Sequence, residues 1–166
     1  MKPADTQVLM ALGILNFIQR DYTKAGDCFA AAIRENPTDH TLWNKFGACA
    51  SNNMDIKKAI EAYEQALDLR PNYVRSIVNL GLAHNRLHDL KSAANCFLNA
   101  LILNPNISHV WTYLRTAFVK MNRFDLLEKL EARDPLMFKD EFLLVDPSKM
   151  EKPTLDRLYS HDILNS

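Results

Sequence analysis

The stretch Leu42-Trp43-Asn44-Lys45-Phe46-Gly47-Ala48 decides the fold, because its parts recur on either side of it. Gly47 has counterparts at Gly13 and Gly81, each 34 residues away. The same offset joins Ala25 to Ala59 and Ala93, Phe29 to Tyr63 and Phe97, and Ala32 to Ala66 and Ala100. It also joins Pro37 to Pro71 and Pro105. Within the central unit, Trp43, Phe46, Gly47 and Ala50 have the 3–4 spacing of one helical face. A glycine inside an exposed helix costs about 1 kcal/mol against alanine, so three at one position need a packing reason. A thin second helix, kept so by Ala59 and Ala66, supplies it, with Tyr63 filling the gap between neighbouring units. The prolines end each unit, since proline lacks the donor that a continuing helix needs.

A period of 34 with two helices per unit resembles the tetratricopeptide (TPR) repeat. The expected fold is all-α, a right-handed TPR solenoid with a concave inner face. Three full repeats are expected at 6–39, 40–73 and 74–107, and a decayed fourth at 108–133, so that 6–133 is the array. Trp111 and Leu114 keep their places in the fourth unit, while Arg115 replaces the glycine and Leu127 and Glu131 replace the small and aromatic residues. Residues 134–166 are expected to form a C-terminal helical or tail segment. There Asp134-Pro135 reads as a cap and first helical residue, with Phe138 and Phe142 on one face. Leu155, Leu158, Tyr159 and Ile163 would make 154–164 a short amphipathic helix. At the front, Leu9, Leu12 and Phe17 would face solvent or a partner, as in part of a longer array.

Composition narrows the function. Lysine plus arginine equals aspartate plus glutamate, at 20 each, so no net charge draws the chain to nucleic acid or an anionic membrane. No apolar run approaches the ~20 residues of a membrane span. Cys28, Cys49 and Cys96 match neither a zinc site nor a disulfide framework, and are expected to be buried and reduced. His84 and His88, four apart, could offer two metal ligands, but no third is evident. No phosphate loop or nucleophile elbow appears. The chain is expected to be no enzyme and to need no cofactor.

Binding through the groove remains. Facing away from the packing stripe, the first repeat offers Gln7, Met10, Ile14, Phe17 and Ile18, which are mostly apolar. The second offers Thr41, Asn44, Ala48, Ser51 and Asn52, with Lys45 alongside. The third offers Arg75, Val78, Leu82, Asn85 and Arg86, with Asn79 alongside. Asparagine disfavours helix interiors, so Asn44, Asn79 and Asn85 point to binding. A pair of side-chain amides can hold both sides of an extended peptide backbone, and Lys45 and Arg75 suit a carboxylate.

At these residues the chain resembles the import receptor for type-1 peroxisomal targeting signals. Leu42 to Ala48 followed by Asn52, then Arg75-Ser76 and Asn79-Leu80-Gly81, carry the resemblance, with support from Gly26-Asp27-Cys28-Phe29 and Trp111-Thr112-Tyr113-Leu114-Arg115. It covers about residues 5–134, matching the last three repeats and following helices of that receptor's array. It implies recognition of C-terminal Ser-Lys-Leu-like tripeptides of cargo for peroxisomal matrix import. Asn44, Asn52 and Asn79 would clamp the bound backbone, and Lys45 and Arg75 would lie near its carboxylate. Arg86 stands where the family has another asparagine, which Asn85 would have to replace. Ser108 and the short connection before it match only loosely. The resemblance further implies a cytoplasmic protein cycling to the peroxisomal membrane, with docking proteins engaging a region absent here. The alternative is a TPR adaptor using the same groove for another partner. Met10 and Ile14 stand where a chaperone-type carboxylate clamp would carry a basic residue and an asparagine.

Overall fold

The computed structural model describes residues 3–146. Eight α-helices follow in order: α1 (Pro3–Ile18), α2 (Tyr22–Glu35), α3 (His40–Asn52), α4 (Ile56–Leu69), α5 (Val74–Arg86), α6 (Leu90–Leu103), α7 (Ser108–Lys120) and α8 (Phe124–Leu130). A short 3-10 helix, Pro135–Phe138, comes last. The expected tail helix at 154–164 lies outside the described residues. The chain divides into two compact units between Pro71 and Asn72. In the first, α1 packs on α2, α2 on α3 and α3 on α4. In the second, α5 packs on α6, α6 on α7 and α7 on α8, and the 3-10 helix lies against α6.

Local chemistry sets the boundaries. Residues 20, 54, 88 and 122 share the 34-residue period and all have positive φ: Arg20 at 62°, Met54 at 67°, His88 at 60° and Asn122 at 57°. Each closes the first helix of its hairpin in the left-handed turn that satisfies a helix's last carbonyls. The next residue's N–H reaches five residues back: Asp21 to Asn16 at 2.9 Å, Asp55 to Ala50, Asp89 to His84 and Arg123 to Phe118, each at 3.0 Å. Asp21, Asp55 and Asp89 then cap the second helices, their carboxylates accepting from the N–H groups of Lys24, Lys58 and Ser92. At the other end, Asn36, Arg70 and Asn104 terminate helices immediately before the periodic prolines.

The packing stripe expected from the central unit is present. Trp43, Phe46, Gly47 and Ala50 are all buried, and the Trp43 indole N–H donates to the Pro37 carbonyl at 2.8 Å. Tyr63 serves its own hairpin: its ring covers Gly47, and Phe29 and Phe97 likewise cover Gly13 and Gly81. The decayed unit replaces this contact. Arg115 and Glu131 stand at the glycine and aromatic positions, and the Arg115 guanidinium donates to the Glu131 carboxylate at 2.9 Å. An exposed ion pair there contributes little stability, in keeping with an α8 only seven residues long.

The first helix departs from expectation. Leu9 and Phe17 pack against the core of the first unit and are only partly exposed. Leu12 is 45% exposed, with Val8 at 56% and Leu15 at 51% beside it on α1. One period later, on α3, Leu42, Phe46 and Cys49 are 0%, 8% and 1% exposed, because they meet α2.

Candidate functional site

The residues expected to bind fall on two helices, one in each unit. On α3, Asn44 is buried, Lys45 half-buried and Asn52 exposed. Asn44, Ala48 and Asn52 follow at four-residue steps and so share a face. Asn44 lies inside the packed stretch and is engaged with neighbouring groups. Asn52 spends its amide N–H on the Ala48 carbonyl, at 2.7 Å.

Asn44 and Lys45 line a cavity of about 190 Å³ in the first unit, whose other walls are Ile14, Phe17, Phe29 and Ala48. The lining is apolar except for one amide and one ammonium. Ile14, Phe17 and Ala48 belong to the expected inner face; Phe29, read as a core residue, forms part of the wall. Asn52 is not among the lining residues. His40, which begins α3, is held below the usual imidazole range by burial first and by the Arg70 guanidinium second. That leaves positive charge in this region to Lys45 and Arg70 at neutral pH.

On α5, Arg75 is exposed in the first turn and Asn79 half-buried one turn later. Asn85 is half-buried, and its Oδ1 accepts from the Lys120 ammonium at 3.2 Å. Arg86 is the exposed last residue of the helix. Asn85 is therefore tied to α7, and the third-repeat set is Arg75 and Asn79 on one stretch with Asn85 and Arg86 at the far end.

The histidine pair does not share a helix. His88 lies beyond the end of α5 in the left-handed turn, while the His84 Nδ1 faces the Asp89 carboxylate at 3.2 Å. The Ser92 hydroxyl, above all, holds that carboxyl below its ordinary range. No group of three or more His, Cys, Asp or Glu among the described residues is placed to hold a metal ion. All three cysteines are free, but only Cys49 is fully buried; burial pushes its thiol up to about 12, which keeps it from reacting as a thiolate. Cys28 and Cys96 are half-buried, less enclosed than expected. No helix among the described residues is long and apolar enough to cross a membrane.

One buried polar residue escaped the sequence reading. Asn99, on α6, is buried. Its amide donates to the Leu143 carbonyl at 3.1 Å and accepts from the Val145 N–H at 2.9 Å. The signal was the one used for Asn44, an asparagine inside a helix, but Asn99 lies on a second helix rather than on the inner face.

Comparisons with known proteins bear on the fold and the family. The TPR repeat family matches residues 55–88. The peroxisomal targeting signal receptor of Saccharomyces cerevisiae is 34% identical over 155 residues, covering 83% of this chain and 25% of the receptor. The peroxisomal targeting signal 1 receptor of Dictyostelium discoideum is 42% identical over 138 residues, covering 83% of this chain and 21% of the receptor. The chain thus spans about a quarter of the length of these relatives. Among solved structures, the first TPR of Spaghetti (RPAP3) bound to HSP90 peptide SRMEEVD aligns with a TM-score of 0.70 at 21% identity. It covers 74% of this chain and 97% of its own. The Arabidopsis OM64 TPR domain aligns with a TM-score of 0.65 at 20% identity, over 68% of this chain and 93% of its own. These two likenesses concern the fold. The chain is a TPR protein, all-helical among the described residues, and belongs with the peroxisomal targeting signal receptors, to which it is homologous over 83% of its length.

Proposed function

We propose that the chain is the peptide-binding module of such a receptor and recognises C-terminal Ser-Lys-Leu-like tripeptides of cargo. The observation that carries the reading is the cavity beside Asn44 and Lys45. Apolar walls suit a leucine-like terminal side chain. An ammonium at the same cavity suits the carboxylate on that residue, and an amide suits its peptide group. In this reading Lys45 and Arg75 attract the carboxylate, Asn44, Asn52 and Asn79 hold the main chain, and Asn85 and Arg86 are further binding candidates. The protein would work in the cytoplasm and at the peroxisomal membrane, with docking proteins engaging parts of the receptor outside this chain.

The test is a labelled peptide ending in Ser-Lys-Leu, compared with its C-terminally amidated form by fluorescence anisotropy. The free acid should bind at least tenfold more tightly. Equal binding of the two would remove the carboxylate from the mechanism. A second reading, a TPR adaptor, draws support from the exposed Val8, Leu12 and Leu15 on α1, a surface suited to assembly. It gains if neither peptide binds.

A further inference from the structure

The segment after the 3-10 helix is held to α6 in an unusual way. The Leu143 carbonyl and the Val145 N–H, two residues apart, both point to the side-chain amide of Asn99. That is the pair of groups a strand edge offers a partner, here read by one side chain. The side chain at the centre of the contact adds nothing: Leu143 is 85% exposed. The anchor lies just before it, where Phe142 is buried with its ring 5.8 Å from that of Phe118. Recognition is therefore of main chain plus one aromatic residue.

The helix beneath is built to be covered. Leu98 is fully buried, whereas one period earlier the same position holds the exposed Glu64. Beside the segment lies an open cavity of about 560 Å³, lined from α6 by Lys91, Ser92, Asn95 and Cys96 and on the other side by residues that include Phe142 and Leu143. A polypeptide lying along α6 thus has room for side chains beyond those that the chain itself supplies.

We propose that this face of α6, together with the Phe118 ring of α7, is a second peptide site, read through Asn99 and occupied by the chain's own residues 142–146, which act as a displaceable strap. The ligand class is an extended polypeptide with an aromatic anchor, chosen by backbone geometry and not by a terminal carboxylate. Two neutral hydrogen bonds together change occupancy roughly ten- to hundredfold, enough to hold a tethered strap and weak enough to exchange.

The experiment uses the full chain and a fluorescein-labelled peptide of residues 139–146. Phe142→Ala with Val145→Pro removes the strap's anchor and its donor without touching α6. This variant should bind the peptide at least tenfold more tightly than the parent, and adding Asn99→Ala should abolish the gain. In the parent, hydrogen exchange at the Val145 amide should be slow, and Asn99→Ala should speed it at least tenfold while the α6 amides keep their protection. A strap-free variant that binds no better than the parent overturns the proposal. So does a gain indifferent to Asn99, or loss of protection along α6 when Asn99 is replaced.

Discussion

The ring of Tyr63 lies on the backbone of Gly47 so closely that a Cβ added at Gly47 would stand 2.7 Å from the ring and 3.2 Å from the Ala59 carbonyl oxygen. The glycine therefore exists for the approach of α4 to α3. Gly47→Ala sets two effects against each other. Helix propensity favours alanine by about 1 kcal/mol, while overpacking typically costs 1–3 kcal/mol. Both the ring, which is buried, and the carbonyl are hard to move, so net destabilisation is expected, about 1 kcal/mol by urea unfolding. Tyr63→Leu should cost stability by itself but shrink the penalty of Gly47→Ala. Additive effects in the double-mutant cycle would show that the contact is not what excludes alanine.

The turns offer the opposite case. Met54 has φ 67° and is 76% exposed, so it bears left-handed strain without packing in return. The left-handed form costs a non-glycine residue about 1–2 kcal/mol, and glycine's extra unfolded-state freedom returns about 0.5–1 kcal/mol of that. Met54→Gly should stabilise by a few tenths to about 1 kcal/mol, read as a higher denaturation midpoint. A lower midpoint would mean that the methionine side chain makes a contribution its exposure conceals.

The contrast between these two positions explains what the sequence could reveal. Gly13, Gly47 and Gly81 recur as letters because the constraint falls on the side chain, so the period exposes them. Arg20, Met54, His88 and Asn122 recur only as backbone; the turn is enforced by carbonyls needing donors, which any residue but proline supplies. Reading His84 and His88 along one helix failed for that reason. The site shows the same division. Residue types and spacing singled out Asn44 and Lys45, which line a cavity, but the burial of Asn44 and the internal bond of Asn52 depend on neighbours that periodicity does not specify. Asn99 was passed over because its partners lie 44 and 46 residues away.

The exposed face of α1 predicts association. Val8, Leu12 and Leu15 stand where α3 buries Leu42, Phe46 and Cys49 against the preceding helix. Burying apolar surface gains about 25 cal/mol per Å², so the chain by itself should self-associate at high micromolar concentration. Leu12→Glu with Leu15→Gln should give a monomer by light scattering, with unchanged helical circular dichroism. A parent that stays monomeric at all concentrations would show that the face carries too little area to associate.

Binding should separate the inner-face residues by what each already does. Lys45 and Arg75 act on a carboxylate through charge in the proposed mechanism, so Lys45→Ala and Arg75→Ala should each weaken a Ser-Lys-Leu peptide about tenfold or more. A hydrogen bond to a charged group is worth about 1.5–3 kcal/mol, and the loss should shrink at high salt as the charge is screened. Asn79→Ala removes a neutral clamp worth about 0.5–1.5 kcal/mol and should cost severalfold, with little dependence on salt. Asn52 has its amide N–H engaged with Ala48 at 2.7 Å, so Asn52→Ala should cost less than Asn79→Ala. Asn44 is buried and engaged with its neighbours, so Asn44→Ala should lower both affinity and thermal stability, and its binding loss counts only after the folded fraction is measured. Lys57→Ala, on an exposed face of α4, should change neither. Anisotropy titrations at two ionic strengths distinguish these patterns: salt-independent losses at Lys45 and Arg75 would remove charge from the mechanism, and a parent-like Asn79→Ala would remove the amide clamp.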